Sequence, residues 1–222
     1  GHHRVNALRT VAGRVARDMP NHPKARAMQN MVERLASGAE ALDKVRVSRN
    51  PLDTREAHMK KLGGMARKYD AEVTTTITRL GAIFREAVND VQRRIDEKVD
   101  LKPDAFASEI RAAFRLMKST EQAELLGRLA RENRGAELAA IVKAPLTLTG
   151  LTEETRAQFE GAILSIHARE EMAEREQIEA VFSEAFAGVD IAMGINKAFT
   201  DPAEIAKIER AEAEANAAGD AF

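Results

Sequence analysis

Between Met59 and Ile95 the chain repeats an apolar or semi-apolar residue at a spacing that only a helix satisfies: Met59, Leu62, Ala66, Tyr69, Val73, Ile77, Leu80, Phe84, Val88, Val91 and Ile95. Ten steps cover 36 residues, which is the straight-helix period of about 3.6, not the 3.5 of a sustained left-handed coiled coil. This stripe predicts one helix over 54–98, about 67 Å long at the standard rise per residue. An element of that length acts as a spine, to which the other segments must be fitted. Gly63 and Gly64 interrupt good helix formers and predict a bend or hinge there.

Helix punctuation continues on both sides of the spine. A first helix is expected over 4–18, ending before Pro20, and a second from Pro23 to about Val47. Asp53 with Glu56 reads as a capping box opening the long helix, and Ser119 with Gln122 as another. Phe106, Ile110, Phe114 and Met117 form a stripe on a shorter helix. Thr152 is placed to cap a second long helix carrying Phe159, Ile163, Ile166, Met172, Ile178, Val181, Phe182 and Phe186. The apolar piece Val189 to Phe199 reads as a buried or partner-covered helix, and Asp201, Pro202 and Glu204 open a last helix rich in Ala and Glu. The two β-like runs, Val73–Ile77 and Leu146–Thr149, are short. The expected fold is therefore all-α, an elongated multi-helix assembly with one or two very long helices and little or no β. Ala144 to Gly150, with Pro145 and two Thr, is the best linker, so residues 1–148 and 149–222 are expected as separate regions.

Charge is segregated along the chain. Residues 1–70 carry 15 Lys/Arg against 7 Asp/Glu, residues 71–118 carry 9 against 8, and residues 119–222 carry 10 against 20. The formal total of −1 thus hides a basic start and an acidic end, a pattern suited to nucleic-acid contact, to an acidic protein partner or to head-to-tail self-association. Arg14, Arg17 and Arg26 are the first candidates for a basic interaction surface, and Phe182 and Phe186 for packing or assembly. Dispersed arginines with almost no aromatic neighbours neutralise phosphates without reading sequence and support single-strand binding only weakly.

Little points to chemistry. There is no Cys, hence no disulfide, thiol nucleophile or cysteine zinc site, and no phosphate loop, dinucleotide fingerprint or Gly-x-Ser-x-Gly turn. His167, Glu170, Glu171 and Glu174 have helical ligand spacing, but a bundle di-metal site needs Glu-x-x-His from two helices, and here a single His-x-x-Glu occurs. These residues read as a solvated charged face. His22 reads as a helix-start residue and His58 as an exposed first-turn residue; His2 and His3 carry no functional weight. No catalytic residue, cofactor or metal is expected, and no apolar run is long enough for a membrane span. With no Trp and one Tyr, the Ala-rich interior needs close helix approach or burial against a partner.

In general character, the entry to the long helix, Asn50-Pro51-Leu52-Asp53-Thr54-Arg55-Glu56-Ala57-His58-Met59, and the pattern that follows resemble small helical structural proteins of tailed bacteriophages, among them scaffolding, portal-associated and internal virion proteins. The resemblance carries over no functional residue. The spine-like helix, the aromatic-poor interior, the charge gradient and the lack of a recognisable site lead to the expectation of a non-enzymatic structural or assembly protein, a homo-oligomer or part of a larger protein complex, in the cytoplasm or, as the resemblance implies, a virion. The alternative is a sequence-independent nucleic-acid-associated protein using the basic first third.

Overall fold

The computed structural model describes residues 2–100, 102–103 and 105–219, and among these every regular element is a helix. In chain order they are α1 (His2–Ala12), α2 (Pro23–Val47), α3 (Arg55–Val99), α4 (Ala107–Leu116), α5 (Ser119–Arg131), α6 (Gly135–Val142), α7 (Leu146–Thr149), α8 (Glu153–His167), α9 (Arg169–Met193), α10 (Ile195–Phe199) and α11 (Pro202–Gly219).

The spine is present as α3, 45 residues without a break at Gly63 or Gly64. A hinge is not needed there because Gly63 serves packing: a Cβ on it would lie 2.8 Å from the Ile205 side chain. The β-like Val73–Ile77 run is absorbed into the same helix. Thr74 and Thr75 donate their hydroxyls to the carbonyls of Asp70 and Ala71, four residues back, so these polar groups are satisfied without leaving the helix. Leu62, Ala66, Tyr69, Val73, Leu80, Val91 and Ile95 of the sequence stripe are buried, whereas Met59, Ile77, Phe84 and Val88 are only partly so and Thr76 and Ala87 are buried beside them.

Caps differ in detail from the sequence expectation. Thr54, not Asp53, opens α3, its Oγ1 accepting from the Ala57 amide at 3.1 Å. Asp53 instead belongs to the preceding turn, where its amide donates to the Asn50 carbonyl at 3.0 Å. The α5 start moves one residue: the Lys118 amide donates to the Glu121 carboxylate at 2.8 Å, and Gln122 reaches the Phe114 carbonyl at 2.9 Å. His22 caps α2 through Nδ1, accepting from the Ala25 amide, with Pro23 in the first turn. Thr152 caps α8 as expected, accepting from the Thr155 amide at 3.2 Å. Helix α1 stops at Ala12 rather than Asp18; the chain then turns, with Ala16 at φ 61°, and buries Val15, Ala16 and Met19. The second long helix is two, since Ala168 breaks it between α8 and α9 with its amide donating to the Leu164 carbonyl.

Contacts divide the chain into two compact units, residues 1–87 with 177–222, and residues 88–176. The division does not fall at the expected linker. Leu146–Thr149 forms α7, Thr149 is fully buried, Gly150 at φ 73° ends the turn, and Leu146 packs on the core of residues 88–176. That core holds Phe114, Leu126, Leu129, Leu138, Ile141, Val142, Leu151 and Ile163. The first unit has its own interior, with Leu8, Met28, Leu35, Leu42, Leu80, Ile178 and Ile195 fully buried.

Candidate functional site

The charge gradient collapses on itself when the first unit folds. Residues 1–87 carry a net +8 and residues 177–222 a net −6, and both belong to this unit. Arg14 pairs with Glu184 at 3.2 Å, Arg55 with Glu204 at 3.1 Å, Arg67 with Glu209 at 3.0 Å, and Lys60 with Glu212. Arg9, Lys24, Arg34 and Arg46 meet Glu40, Glu86, Glu72 and Asp43. At least eight of the fifteen cations in residues 1–70 therefore face carboxylates of their own chain. Of the predicted basic residues, Arg14 is engaged in this way. Arg17 in the turn after α1 and Arg26 in the first turn of α2 are exposed, and neither has an ion partner among the described residues.

The predicted phenylalanines are brought together. On α9, Phe182, Phe186 and Met193 fall within about 40° of one another around the helix axis at 100° per residue. Phe182 is half-buried and stacks on Phe84 of α3 with ring centroids 4.1 Å apart and planes 18° from parallel. Phe186 lies 6.0 Å further along and is 39% exposed; Met193 is 44% exposed. Adjoining positions of α9, Ile178, Val181, Ala185, Val189 and Ala192, are buried. The apolar side of the helix is thus covered within the unit over most of its width, Phe182 included, and Phe186 and Met193 form its exposed edge. Glu179, Ser183 and Asp190 flank this edge on one side.

In the second unit Glu170 of the acidic cluster is exposed as expected of a solvated face, but Glu171 and Glu174 are engaged. Glu171 is only 6% exposed and receives Lys98 at 2.7 Å, Glu174 receives Arg94 at 2.7 Å, and Arg175 donates to Gln92 at 2.8 Å. The Lys98 ammonium, aided by the residue's own amide, holds the Glu171 carboxyl below its ordinary range, and the Glu174 hydrogen bond raises the Arg94 guanidinium. Glu171 Oε2 is buried without a hydrogen-bond partner. Among the described residues no three His, Asp or Glu side chains converge to hold a metal. The acids therefore tie the start of α9 to the end of α3. A shallow groove nearby is lined by Asp96, Glu97, Asp100 and Lys143, of which Glu97 is paired with Arg93 and Asp100 with Lys143.

A second polar cluster lies in the first unit. Asp43 is buried, and this raises its carboxyl, but hydrogen bonds from His2 at 2.9 Å and Arg46 at 2.8 Å outweigh burial and leave it lowered. The Arg46 guanidinium also sits 5.0 Å from the Phe199 ring centroid. His2, given no weight in the sequence, thus has a structural contact. No described helix is long and apolar enough to cross a membrane. No protein-family model matches the chain, and neither a curated protein nor a solved structure shows significant similarity to it.

Proposed function

We propose that this chain is a non-enzymatic structural or assembly protein that makes helix-mediated contacts with copies of itself or with a larger complex, a virion component being one setting for such a role. The observation that carries the reading is the exposed apolar edge of α9, Phe186 and Met193, which continues from Phe182 half-buried on Phe84. Large apolar side chains grouped on a surface mark places where water is to be excluded by another body. The sequence-independent nucleic-acid alternative has less support, because so many cations of the basic third are occupied by the chain's own acids.

Phe186→Asp tests the reading. The side chain is 39% exposed, so a carboxylate there keeps part of its hydration, while a charge at this edge opposes burial by another body; circular dichroism checks that the variant stays folded. Light scattering coupled to size-exclusion chromatography should show an oligomer for the parent chain and a smaller species for the variant. A parent chain that stays monomeric at high concentration, or a variant of unchanged mass, rejects the stripe as an assembly surface.

A further inference from the structure

Helix α11 has the properties of an element that can leave its seat intact. Asp201 caps it from its own sequence, Oδ1 accepting from the Ala203 amide at 3.0 Å and the Glu204 amide at 3.2 Å. Seven of its 18 residues are Ala, so its local helical preference is high. Its anchorage is small. Ile205 is 6% exposed and enters the notch at Gly63, Ile208 is half-buried, and residues 211–218 are all exposed. Three solvent-accessible ion pairs, Arg55–Glu204, Lys60–Glu212 and Arg67–Glu209, complete the attachment, and exposed pairs of this kind hold weakly.

Open clefts flank the seat. A cleft of about 170 Å³ lies among Gly63, Ala66, Asn196, Thr200 and Ile205, and an open groove of about 610 Å³ runs past Ala57, Lys60, Lys61 and Ile208. The connection from α10 is only Thr200 and Asp201, while α10 stays fixed by buried Ile195 and Phe199. An apolar anchor pair on one helix, a notch that only a glycine leaves open, and matched charges on both sides are the parts of helix-in-groove recognition.

We propose that α11 is an exchange element: the groove on α3 around Gly63 accepts the α11 helix of a second copy of this chain as it accepts its own. The occupant is identified by its fit, because the apolar plug and the charge complementarity are those already made within one chain. Since both arrangements make the same contacts, the balance between them is set by the effective concentration of the tethered helix against that of other copies. Exchange is then a minor state in dilute solution and grows where copies are held side by side. The proposal draws its purpose, not its geometry, from the assembly reading: Phe186→Asp tests the α9 stripe, and the experiment below tests the α3 groove.

The absence of Cys makes the test clean. The Ile205 Cγ atoms lie 3.1 and 3.4 Å from the Cβ position of Gly63, close to the roughly 3 Å between a disulfide sulfur and the opposite Cβ. Full-length Gly63→Cys protein is mixed with full-length Ile205→Cys protein under mild oxidation, an arrangement in which neither chain can bridge itself. Peptide mass spectrometry should find the 63–205 cross-link between chains at least about tenfold above a control mixture of Gly63→Cys with Glu214→Cys, whose second cysteine lies on the exposed part of α11. A yield no higher than the control overturns exchange. The double variant Gly63→Cys/Ile205→Cys at high dilution should bridge within the chain and remain folded; its failure to do so overturns the seat itself.

Discussion

Replacing Gly188 and Gly64 by Ala, the same chemical change on two helices, should move stability in opposite directions. A Cβ on Gly64 meets nothing within 4 Å, so Gly64→Ala in the interior of α3 collects the helix-propensity gain of about 1 kcal/mol. A Cβ on Gly188 would stand 2.7 Å from Val32 Cγ1, 3.3 Å from Val11 and 3.6 Å from Leu8. The first distance is about 1 Å inside ordinary carbon–carbon contact. Val32 is fully buried and β-branched, so rotation is a poor escape and α9 must move off α2. Overpacking of this kind costs about 1–3 kcal/mol, and the upper half of that range applies here; subtracting the propensity gain leaves a net loss of about 1–2 kcal/mol. The two variants should therefore differ by about 2–3 kcal/mol, or about 4–12 °C in midpoint temperature for a chain of this size. Thermal unfolding followed by circular dichroism measures this directly. If Gly188→Ala is as stabilising as Gly64→Ala, the close approach of α9 to α1 and α2 is wrong.

Two further outcomes concern ionisation. Burial, with Asp70 adding to it, raises the Tyr69 phenol well above its ordinary value of 10.0, and its hydroxyl donates to the Leu35 carbonyl at 3.2 Å. Because the folded state holds the neutral form more strongly, this contribution is complete below about pH 10 and is lost as pH rises beyond it. Tyr69→Phe should cost about 1 kcal/mol at neutral pH and flatten the alkaline fall in urea midpoint; an unchanged alkaline profile would remove Tyr69 as its source. Glu171 has the opposite sign: Lys98 lowers its carboxyl from 4.5, so its contribution is present above about pH 4.5 and is lost as pH falls. Glu171→Gln should lower the urea midpoint at about pH 7 and narrow the gap to the parent at about pH 3; a gap constant with pH would show that the Lys98 pairing does not matter.

What the sequence reveals follows from the range of the interactions involved. The α3 stripe, the start of α2 at Pro23 and the Thr152 cap are set by neighbours within a few residues, and all were legible. The break at Ala168 was not foreseen, although the apolar spacing falters there, stepping by six from Ile166 to Met172 and by six again to Ile178, which is not a helical period. The Ala144–Gly150 segment has the composition of a linker, yet buried Thr149 and Leu151 make it part of a core. Phe84 belonged to the predicted stripe, but nothing local marked it as the residue that Phe182 would stack on. Likewise Gly63 looked like a flexible point when it was a contact point, since its reason, Ile205, lies 142 positions away.

The charge gradient shows most clearly why a sequence-level signal can be true and still mislead. Segregated charges demand a neutralising partner, and net charge says nothing about whether that partner is another molecule or the far end of the same chain. Here the first 87 residues find it in the last 46, and Arg14, Arg55, Lys60 and Arg67 meet Glu184, Glu204, Glu212 and Glu209. Salt would ordinarily be expected to release a phosphate ligand from such a basic surface; in this fold its first effect is to weaken the pairs that hold α11 to α3. Those pairs are exposed, so screening reaches them fully. Arg55, Lys60 and Arg67 of α3 are the cations that position α11, and an outside polyanion that engages these three competes with a helix the chain already carries.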